Sequence, residues 1–328
     1  MITKKTVLIL GAGASVPYGF PTGKELVRKI CASIDTYPSV GPPMGVTSNQ
    51  LREIDVDPEY YRHFQTALDE AQMSVDAFLE NRKQYDEVGR KAIALALLPL
   101  EKTSVLFRNK ISNDALETLK LKRESWYQTL WEQLISSPFS IDKFKQNKLS
   151  VITFNYDRSL EHYLYRAIKS VSDPPEYEIP NALNTIPIFH VYGSLGPLAW
   201  QSNDTEIPYD SNGNSNAVMR SYTNIDLIRT GNTEEVSPAF QKSHELLAES
   251  ERIFFLGFGF DETNMRRLRL EQLSQRRVFA TCLGLDISKK IIVLNLTKWK
   301  GTHYPLIKKE DFHDVNIYEL FHKIRPLA

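Results

Sequence analysis

The sequence predicts an α/β fold in which an open parallel sheet carries a helical insertion. Five short runs are rich in apolar, β-branched or aromatic residues, and helical stretches lie between them. Continuous apolar runs of this length are typical of parallel strands that are covered on both faces. The long segment between the first two runs contains no good strand. The predicted strands are "TVLIL" (6–10), "LSVITF" (149–154), "IPIFHVY" (186–192), "RIFFLGF" (252–258) and "IIVLNL" (291–296).

We predict that residues 31–148 form a helical module inserted into a sheet domain made of residues 1–30 and 149–328. The segment "WYQTLWEQLI" (126–135) has apolar residues at helical spacing. Residues 196–217 are rich in Asn, Ser, Asp and Gly and are predicted to be a long loop. A further apolar helix face is predicted from Phe64, Leu68, Ala71, Val75 and Phe78.

The first predicted strand runs into a glycine-rich turn, "LILGAGASVPYGFPTGKEL" (8–26). Glycines at a strand end let backbone amides approach a phosphate, and the helix predicted from about Thr22 adds a favourable partial charge. The usual dehydrogenase fingerprint would need a third glycine where Val16 stands. A tight strand-to-helix turn without a ligand is therefore the alternative interpretation.

The second predicted strand ends in "TFNYDRSLEHY" (153–163), which presents Asn155 and Asp157. Their i, i+2 spacing places an amide and a carboxylate on one side of the strand end. Asn and Asp are also favoured helix N-caps, so one of the two is expected to cap the next helix. The other remains available for a ligand.

Two further strands also end in glycine turns. "IFHVYGSLG" (188–196) carries His190 and Tyr192, although a single histidine near a strand is more often structural than catalytic. "FFLGFGFDETNM" (254–265) suits the adenosine half of a dinucleotide, with a plain turn as the alternative. Four polar or glycine clusters thus follow four predicted strands, where open α/β sheets bind ligands.

The composition argues against several classes of function. The 40 basic and 40 acidic residues balance, so the sequence lacks the basic excess typical of nucleic-acid-binding proteins. We predict that the arginine clusters at Arg266–Arg269 and Arg276–Arg277 are solvated helix faces. The N-terminal apolar run is too short for a signal peptide, and "AIALALLPL" (92–100) is too short to span a membrane. We therefore expect a cytoplasmic protein without membrane contact.

The sequence has two cysteines, Cys31 and Cys282, which are far apart. They form no CxxC pair and cannot build a four-thiolate zinc site. Buried free thiols in a reducing compartment are the expectation.

In their order along the chain, these motifs resemble those of the sirtuin fold. "GAGAS" followed by "GFP" at Gly19–Pro21, "TFNYD" at Thr153–Asp157 and the histidine before "GSL" are the counterparts of sirtuin motifs. More narrowly, the chain resembles bacterial SIR2-like proteins of anti-phage defence. The resemblance implies a Rossmann-like sheet of sirtuin type, and the helical insertion is covered only by its position.

The sequence departs from the family pattern in two ways. Deacylating sirtuins have a four-cysteine zinc module, which this chain cannot build, so protein deacylation is disfavoured. The family's histidine directly precedes a glycine, whereas here Tyr192 precedes Gly193 and His190 lies two residues earlier. Either His190 or Tyr192 can therefore take the histidine's role.

The resemblance implies that NAD⁺ binds across the carboxyl edge of the sheet as a substrate, and that no metal is required. Asn155 is expected to hold the ribose or a water, and Asp157 the carboxamide. His190 is expected to act as a base or to orient the water. The residues expected to contact the rest of NAD⁺ are Gly11, Ala12, Gly13, Ser15, Tyr192, Gly193, Gly257, Gly259 and Asn264.

The function implied is an NAD⁺ hydrolase of anti-phage defence, which depletes the cofactor when infection is sensed. About thirty residues follow the last predicted strand, which leaves little room for a sensor domain. We therefore expect activation by a separate sensor or activator protein, by a ligand or by homo-oligomerisation. The alternative is a non-catalytic subunit that binds NAD⁺ or ADP-ribose.

Overall fold

Six parallel strands form one open sheet in the computed structural model, in the order β3-β2-β1-β4-β5-β6. The strands are β1 Thr6–Leu10, β2 Leu149–Thr153, β3 Ile188–His190, β4 Arg252–Leu256, β5 Arg277–Thr281 and β6 Ile307–His313. The structure describes residues 1–32, 46–106, 125–172, 174–202, 204–226, 238–270, 273, 276–296 and 307–327.

Helices cover the sheet and fill the segment between β1 and β2. Before β2 they are α1 Gly23–Ile30, α2 Ser48–Glu53, α3 Pro58–Ala71, α4 Val75–Asn81, α5 Asp86–Thr103, α6 Trp126–Leu134 and α7 Ile141–Phe144. After β2 they are α8 Ser159–Ser172, α9 Glu178–Leu183, α10 Ser215–Ser221, α11 Pro238–Glu249, α12 Glu262–Arg267, α13 Ile287–Leu296 and α14 Ile317–Glu319.

The α/β class and the parallel sheet are confirmed, and four of the five predicted strands are present. β1 has the predicted bounds, and β2, β3 and β4 are shorter than predicted. The fifth prediction is wrong, because residues 291–296 lie in α13. Asp286 accepts a hydrogen bond from the Lys289 amide (2.7 Å), which starts a helix there. Ile291 and Ile292 are more than half exposed, so this run is not a buried strand.

The sequence analysis missed the two strands β5 and β6. Arg277, predicted to lie on a solvated helix face, is the exposed first residue of β5. β6 is an edge strand whose residues 308–310 are charged and exposed, so it has no apolar run to detect. Charged residues are common on edge strands because they discourage pairing with another chain.

The apolar pattern from Phe64 to Phe78 belongs to two helices rather than one. α3 ends at Ala71, and the next residue, Gln72, has a left-handed φ of 50°. α4 begins after Ser74, whose hydroxyl caps the helix by accepting from the Ala77 amide (3.3 Å). The helix predicted at 126–135 is confirmed as α6. Buried residues of these helices and of the sheet belong to one hydrophobic cluster. The division into a sheet domain and an inserted module stays a prediction.

Two glycine turns pack against each other at the carboxyl edge of the sheet. The Gly13 amide donates to the Gly257 carbonyl (2.9 Å), and the Gly11 amide donates to the Leu256 carbonyl (3.1 Å). A Cβ on Gly257 would lie 2.2 Å from the Ala14 nitrogen, and the φ of Gly257 is +56°. Glycine is therefore required at this position both for space and for backbone conformation.

A buried ion pair connects α5 to the start of α8. Arg158 and Glu101 form two hydrogen bonds, of 2.9 and 2.5 Å, and both side chains are almost fully buried. The guanidinium also donates to the carbonyls of Gly196 and Ile207. Arg158 thereby holds much of the irregular stretch predicted as a long loop, whose last residues begin α10.

We predict that Gly257→Ala lowers the free energy of unfolding by about 2–4 kcal/mol. The methyl group would collide with backbone atoms, and alanine would have to adopt a left-handed conformation. Gly259→Ala is the matched control, because a Cβ there meets nothing within 4 Å. Urea unfolding followed by circular dichroism measures both. Equal stability of the two variants would contradict this packing role.

Candidate functional site

The four clusters predicted to bind a ligand follow four strands that are neighbours in the sheet. β3, β2, β1 and β4 are adjacent and parallel, so their carboxyl ends lie along one edge. The glycine turn after β1 therefore lies between the polar residues after β2 and the glycine turn after β4. This is the edge at which open α/β sheets bind ligands.

Asn155 has a fixed orientation at this edge. Its side-chain nitrogen donates to the Gly11 carbonyl and to the Ser15 hydroxyl, both at 3.0 Å. Because a carbonyl only accepts, the amide nitrogen must face Gly11, and this determines where the amide oxygen lies. That oxygen, Oδ1, is buried and has no hydrogen-bond partner among the residues that the structure describes. Asn155 thus presents an unused acceptor, although the residue is only 8% exposed.

Asp157 is a buried carboxylate surrounded by donors. It accepts from the amide (3.2 Å) and the hydroxyl of Ser159, and the Ser15 hydroxyl also hydrogen-bonds to it. The Tyr127 hydroxyl lies 2.7 Å from the Ser159 hydroxyl. Burial raises the pKa of Asp157 above its ordinary value, although these hydrogen bonds act in the opposite direction. The donors connect Tyr127, Ser159, Asp157, Ser15 and Asn155 into one network.

The capping interpretation is correct in part. Asp157 accepts from the amide of Ser159, which is the first residue of α8. The Asn155 side chain instead bonds across to the glycine turn after β1. The two polar residues therefore have different partners, as the sequence predicts.

His190 bonds to oxygen atoms on both sides of its ring. Nδ1 lies 2.7 Å from the Asn155 carbonyl oxygen, and Nε2 lies 2.6 Å from Oε1 of Glu161. The side chains are 12% and 7% exposed. Burial is the largest single effect and lowers the pKa of His190, but the Glu161 carboxylate, the hydrogen bond to the Asn155 carbonyl and the charge of Asp157 together outweigh it, so the net shift of the pKa is upward. The His190 ring and the Glu161 carboxyl group are thus in direct contact beside Asn155.

Tyr192 belongs to a different group of side chains. Its hydroxyl donates to the Asn264 amide oxygen and accepts from Arg267 (2.8 Å). Arg267 forms two 2.8 Å hydrogen bonds with Glu80 of α4. The prediction of a solvated arginine face is therefore wrong at Arg267, because its charge is paired with a buried glutamate. His190 is the residue that directly contacts Asn155.

The first glycine turn uses most of its amides inside the protein. The amides of Gly11, Gly13, Ala14 and Ser15 all donate to backbone carbonyls. A Cβ on Gly11 or Gly13 would lie 2.6 or 2.8 Å from the Gly257 carbonyl oxygen. Close packing of two turns therefore explains these glycines without a ligand. Their predicted contact with a pyrophosphate, which includes Ala12, stays a prediction.

The remaining glycines predicted to contact NAD⁺ differ in their surroundings. A Cβ on Gly193 would lie 2.0 Å from the Asn224 carbonyl oxygen, so Gly193 is needed for packing. Gly259 has open space where its Cβ would be, so a ligand can approach its backbone. Gly259 is the better candidate for a ligand contact.

The sequence analysis missed three members of the site. Ser159 and Glu161 stand two and four residues after Asp157, at spacings that place all three near the start of one helix. That spacing could have identified Glu161 as a partner of the site. Tyr127 lies within an apolar helical pattern, and nothing in the sequence distinguishes it from core residues.

Other features of the described residues bear on cofactors and membranes. No three His, Cys, Asp or Glu side chains in these residues come together in a way that could hold a metal ion. Cys31 and Cys282 are both free thiols, as expected, but only Cys282 is buried and Cys31 is partly exposed. No helix within the described ranges has the length and apolar character needed to cross a bilayer.

Comparison with known proteins identifies part of the chain. No curated protein matches it. A family model described as a SIR2-like domain matches residues 149–280, about two fifths of the chain. The match includes Asn155, Asp157, His190 and the glycine turn after β4, and the turn at Gly11–Ser15 precedes it. Together with the six-stranded parallel sheet, this match identifies residues 149–280 as a SIR2-like domain.

Proposed function

We propose that this protein is an NAD⁺ hydrolase that cleaves NAD⁺ to nicotinamide and ADP-ribose. We further propose that it acts in bacterial anti-phage defence and that a partner or signal activates it. A SIR2-like domain is compatible with an enzyme that uses NAD⁺. The observation that carries the proposal is the unused acceptor of Asn155, which a buried network holds at the carboxyl edge of the sheet.

The reaction requires groups that this network supplies. The bond between ribose and nicotinamide breaks, its electron pair leaves with nicotinamide, and the ribose carbon develops positive charge. Asn155 Oδ1 can accept a hydrogen from a ribose hydroxyl or from the attacking water. The negative charge of Asp157, when ionised, favours the developing cation. Water then adds to the ribose carbon and gives up a proton.

His190 is the candidate acceptor for that proton. It contacts the Asn155 carbonyl directly, so it lies beside the group that we propose orients the ribose or the water. An imidazole accepts a proton only when one ring nitrogen has a free lone pair. In this structure both nitrogens face oxygen atoms, so His190 must leave one of these partners before it can act as a base.

We propose that the structure represents a resting state that requires activation. The Asn155 acceptor is buried, and a buried acceptor without a donor costs about 1–3 kcal/mol. A rearrangement that admits a ligand donor would remove this cost. Association with an activator protein or with further copies of the chain is the proposed trigger.

A second candidate function is a non-catalytic subunit that binds NAD⁺ or ADP-ribose. The contacts of His190 favour this second function. Both of its ring nitrogens face oxygen atoms, so neither can accept a proton from water in this arrangement. The two functions differ in whether bound NAD⁺ is recovered intact.

We predict that Asn155→Ala lowers NAD⁺ cleavage at least about 100-fold, because a positioned group that stabilises the transition state is lost. The measurement is release of nicotinamide and ADP-ribose under activating conditions. The variant also removes one of the two hydrogen bonds that the Gly11 carbonyl accepts, the other coming from the Ala14 amide, so the free energy of unfolding should fall by about 0.5–1.5 kcal/mol. Circular dichroism checks that the variant is folded. Full activity in a folded Asn155→Ala protein would exclude a catalytic role.

We predict that His190→Ala reduces the rate of cleavage more than Tyr192→Phe does. Loss of a general base costs about 100-fold or more. Loss of the tyrosine hydroxyl removes hydrogen bonds to Asn264 and Arg267, neither of which contacts Asn155, so the rate should fall by about tenfold or less. Steady-state rates of both folded variants test this order. An active His190→Ala protein beside an inactive Tyr192→Phe protein would reverse the assignment.

A further inference from the structure

The ring of His190 lies between two oxygen atoms, and a neutral histidine satisfies both only if Glu161 carries a proton. The Asn155 carbonyl only accepts, so Nδ1 carries a hydrogen at 2.7 Å. A neutral ring would then point the lone pair of Nε2 at Oε1 of Glu161, 2.6 Å away. A proton must lie between these two atoms. The proton belongs either to Glu161 or to the ring, and in the second case the pair is an imidazolium bound to a carboxylate.

The surrounding charges favour the same state. Glu161 of α8 and Asp157, just before α8, are the carboxylates that act on His190. Glu101 of α5 also lies in this region, but its charge is paired with Arg158. Burial disfavours the charged ring, yet the two carboxylates and the hydrogen bond to the Asn155 carbonyl together outweigh it, and the pKa of His190 is raised.

We infer that Glu161 is a positioning residue that holds His190 as a charged clamp in the resting protein. This inference rests on the proposed function in one respect only, which is that His190 must become neutral to accept a proton during NAD⁺ cleavage. The clamp fixes the ring against the Asn155 carbonyl and also removes its basicity. Release of Glu161 would restore a nitrogen lone pair next to Asn155.

Glu161 has space into which it can move. It lines a cavity of about 310 Å³ that lies between β3, α8, α9 and the segment carrying Trp200. The residues that line it include Leu164, Ile188 and the polar residue Asn184. A rotation of the Glu161 carboxylate into this cavity would separate it from His190 without displacing the hydrophobic core.

The test compares Glu161→Gln, which keeps the shape and removes the charge, with Glu161→Asp, which keeps the charge. NMR titration of the His190 ring in the absence of NAD⁺ reports its protonation directly, and a His190→Gln protein identifies the signal. We expect doubly protonated His190 at pH 7 in the wild type. In Glu161→Gln the titration midpoint should fall by one pH unit or more, whereas Glu161→Asp should stay closer to the wild type.

The pH dependence of the rate of NAD⁺ cleavage is the second measurement. A general base works when it is deprotonated, so the rate rises as the pH increases through the pKa of the base. Removal of the carboxylate lowers that pKa, so the acid limb of the rate profile should move to lower pH in Glu161→Gln. A structural role alone would change the rate without moving the limb.

A neutral His190 at pH 7 in the wild type overturns the inference, and so does an unchanged midpoint in Glu161→Gln. The wild-type measurement needs no variant, so misfolding of a variant does not prevent the test. If the midpoints shift as expected but no protein cleaves NAD⁺, the proposed function fails and the charge assignment stands.

Discussion

The site depends on the requirement that a buried carboxylate be surrounded by hydrogen-bond donors. Asp157 takes the hydrogens of Ser159 and Ser15, so the Ser15 oxygen is left to accept from Asn155. The Gly11 carbonyl takes the second amide hydrogen. Together these bonds fix the Asn155 side chain and leave its oxygen without a partner in the described part of the chain. An unpaired charge or polar group at this depth is costly, so these hydrogen bonds stabilise the arrangement.

The helices between β1 and β2 support this network. The Trp126 indole donates to the Ala14 carbonyl (2.8 Å), and the rings of Tyr127 and Tyr18 stack with centroids 3.8 Å apart. The Tyr127 hydroxyl forms a hydrogen bond with the Ser159 hydroxyl, which donates to Asp157. The start of α6 therefore holds both the glycine turn and the carboxylate. A partner that shifts α6 would act on the site, which gives the proposed activation a physical route.

The sequence was informative where a residue's role depends on local pattern. Buried parallel strands read as apolar runs, so β1, β2 and β4 could be found, and the motifs after them could be placed at one edge. The apolar pattern wrongly predicted a strand at residues 291–296, which lie in a helix, because a short apolar run fits a helix as well as a strand. It also could not show that the amides of Gly11 and Gly13 are used in packing, or that Glu161 pairs with His190. These roles arise from contacts between residues distant in sequence or on different elements.

The central claim is that the SIR2-like edge centred on Asn155 cleaves NAD⁺ once the resting arrangement is released. The most direct measurement is chromatographic analysis of NAD⁺ after incubation with the purified chain, over a range of protein concentrations and with candidate activators. The account predicts slow cleavage by the dilute chain, and rapid formation of equal amounts of nicotinamide and ADP-ribose on association. Intact NAD⁺ under every condition would contradict it, and so would rapid cleavage by a monomer that is independent of its concentration.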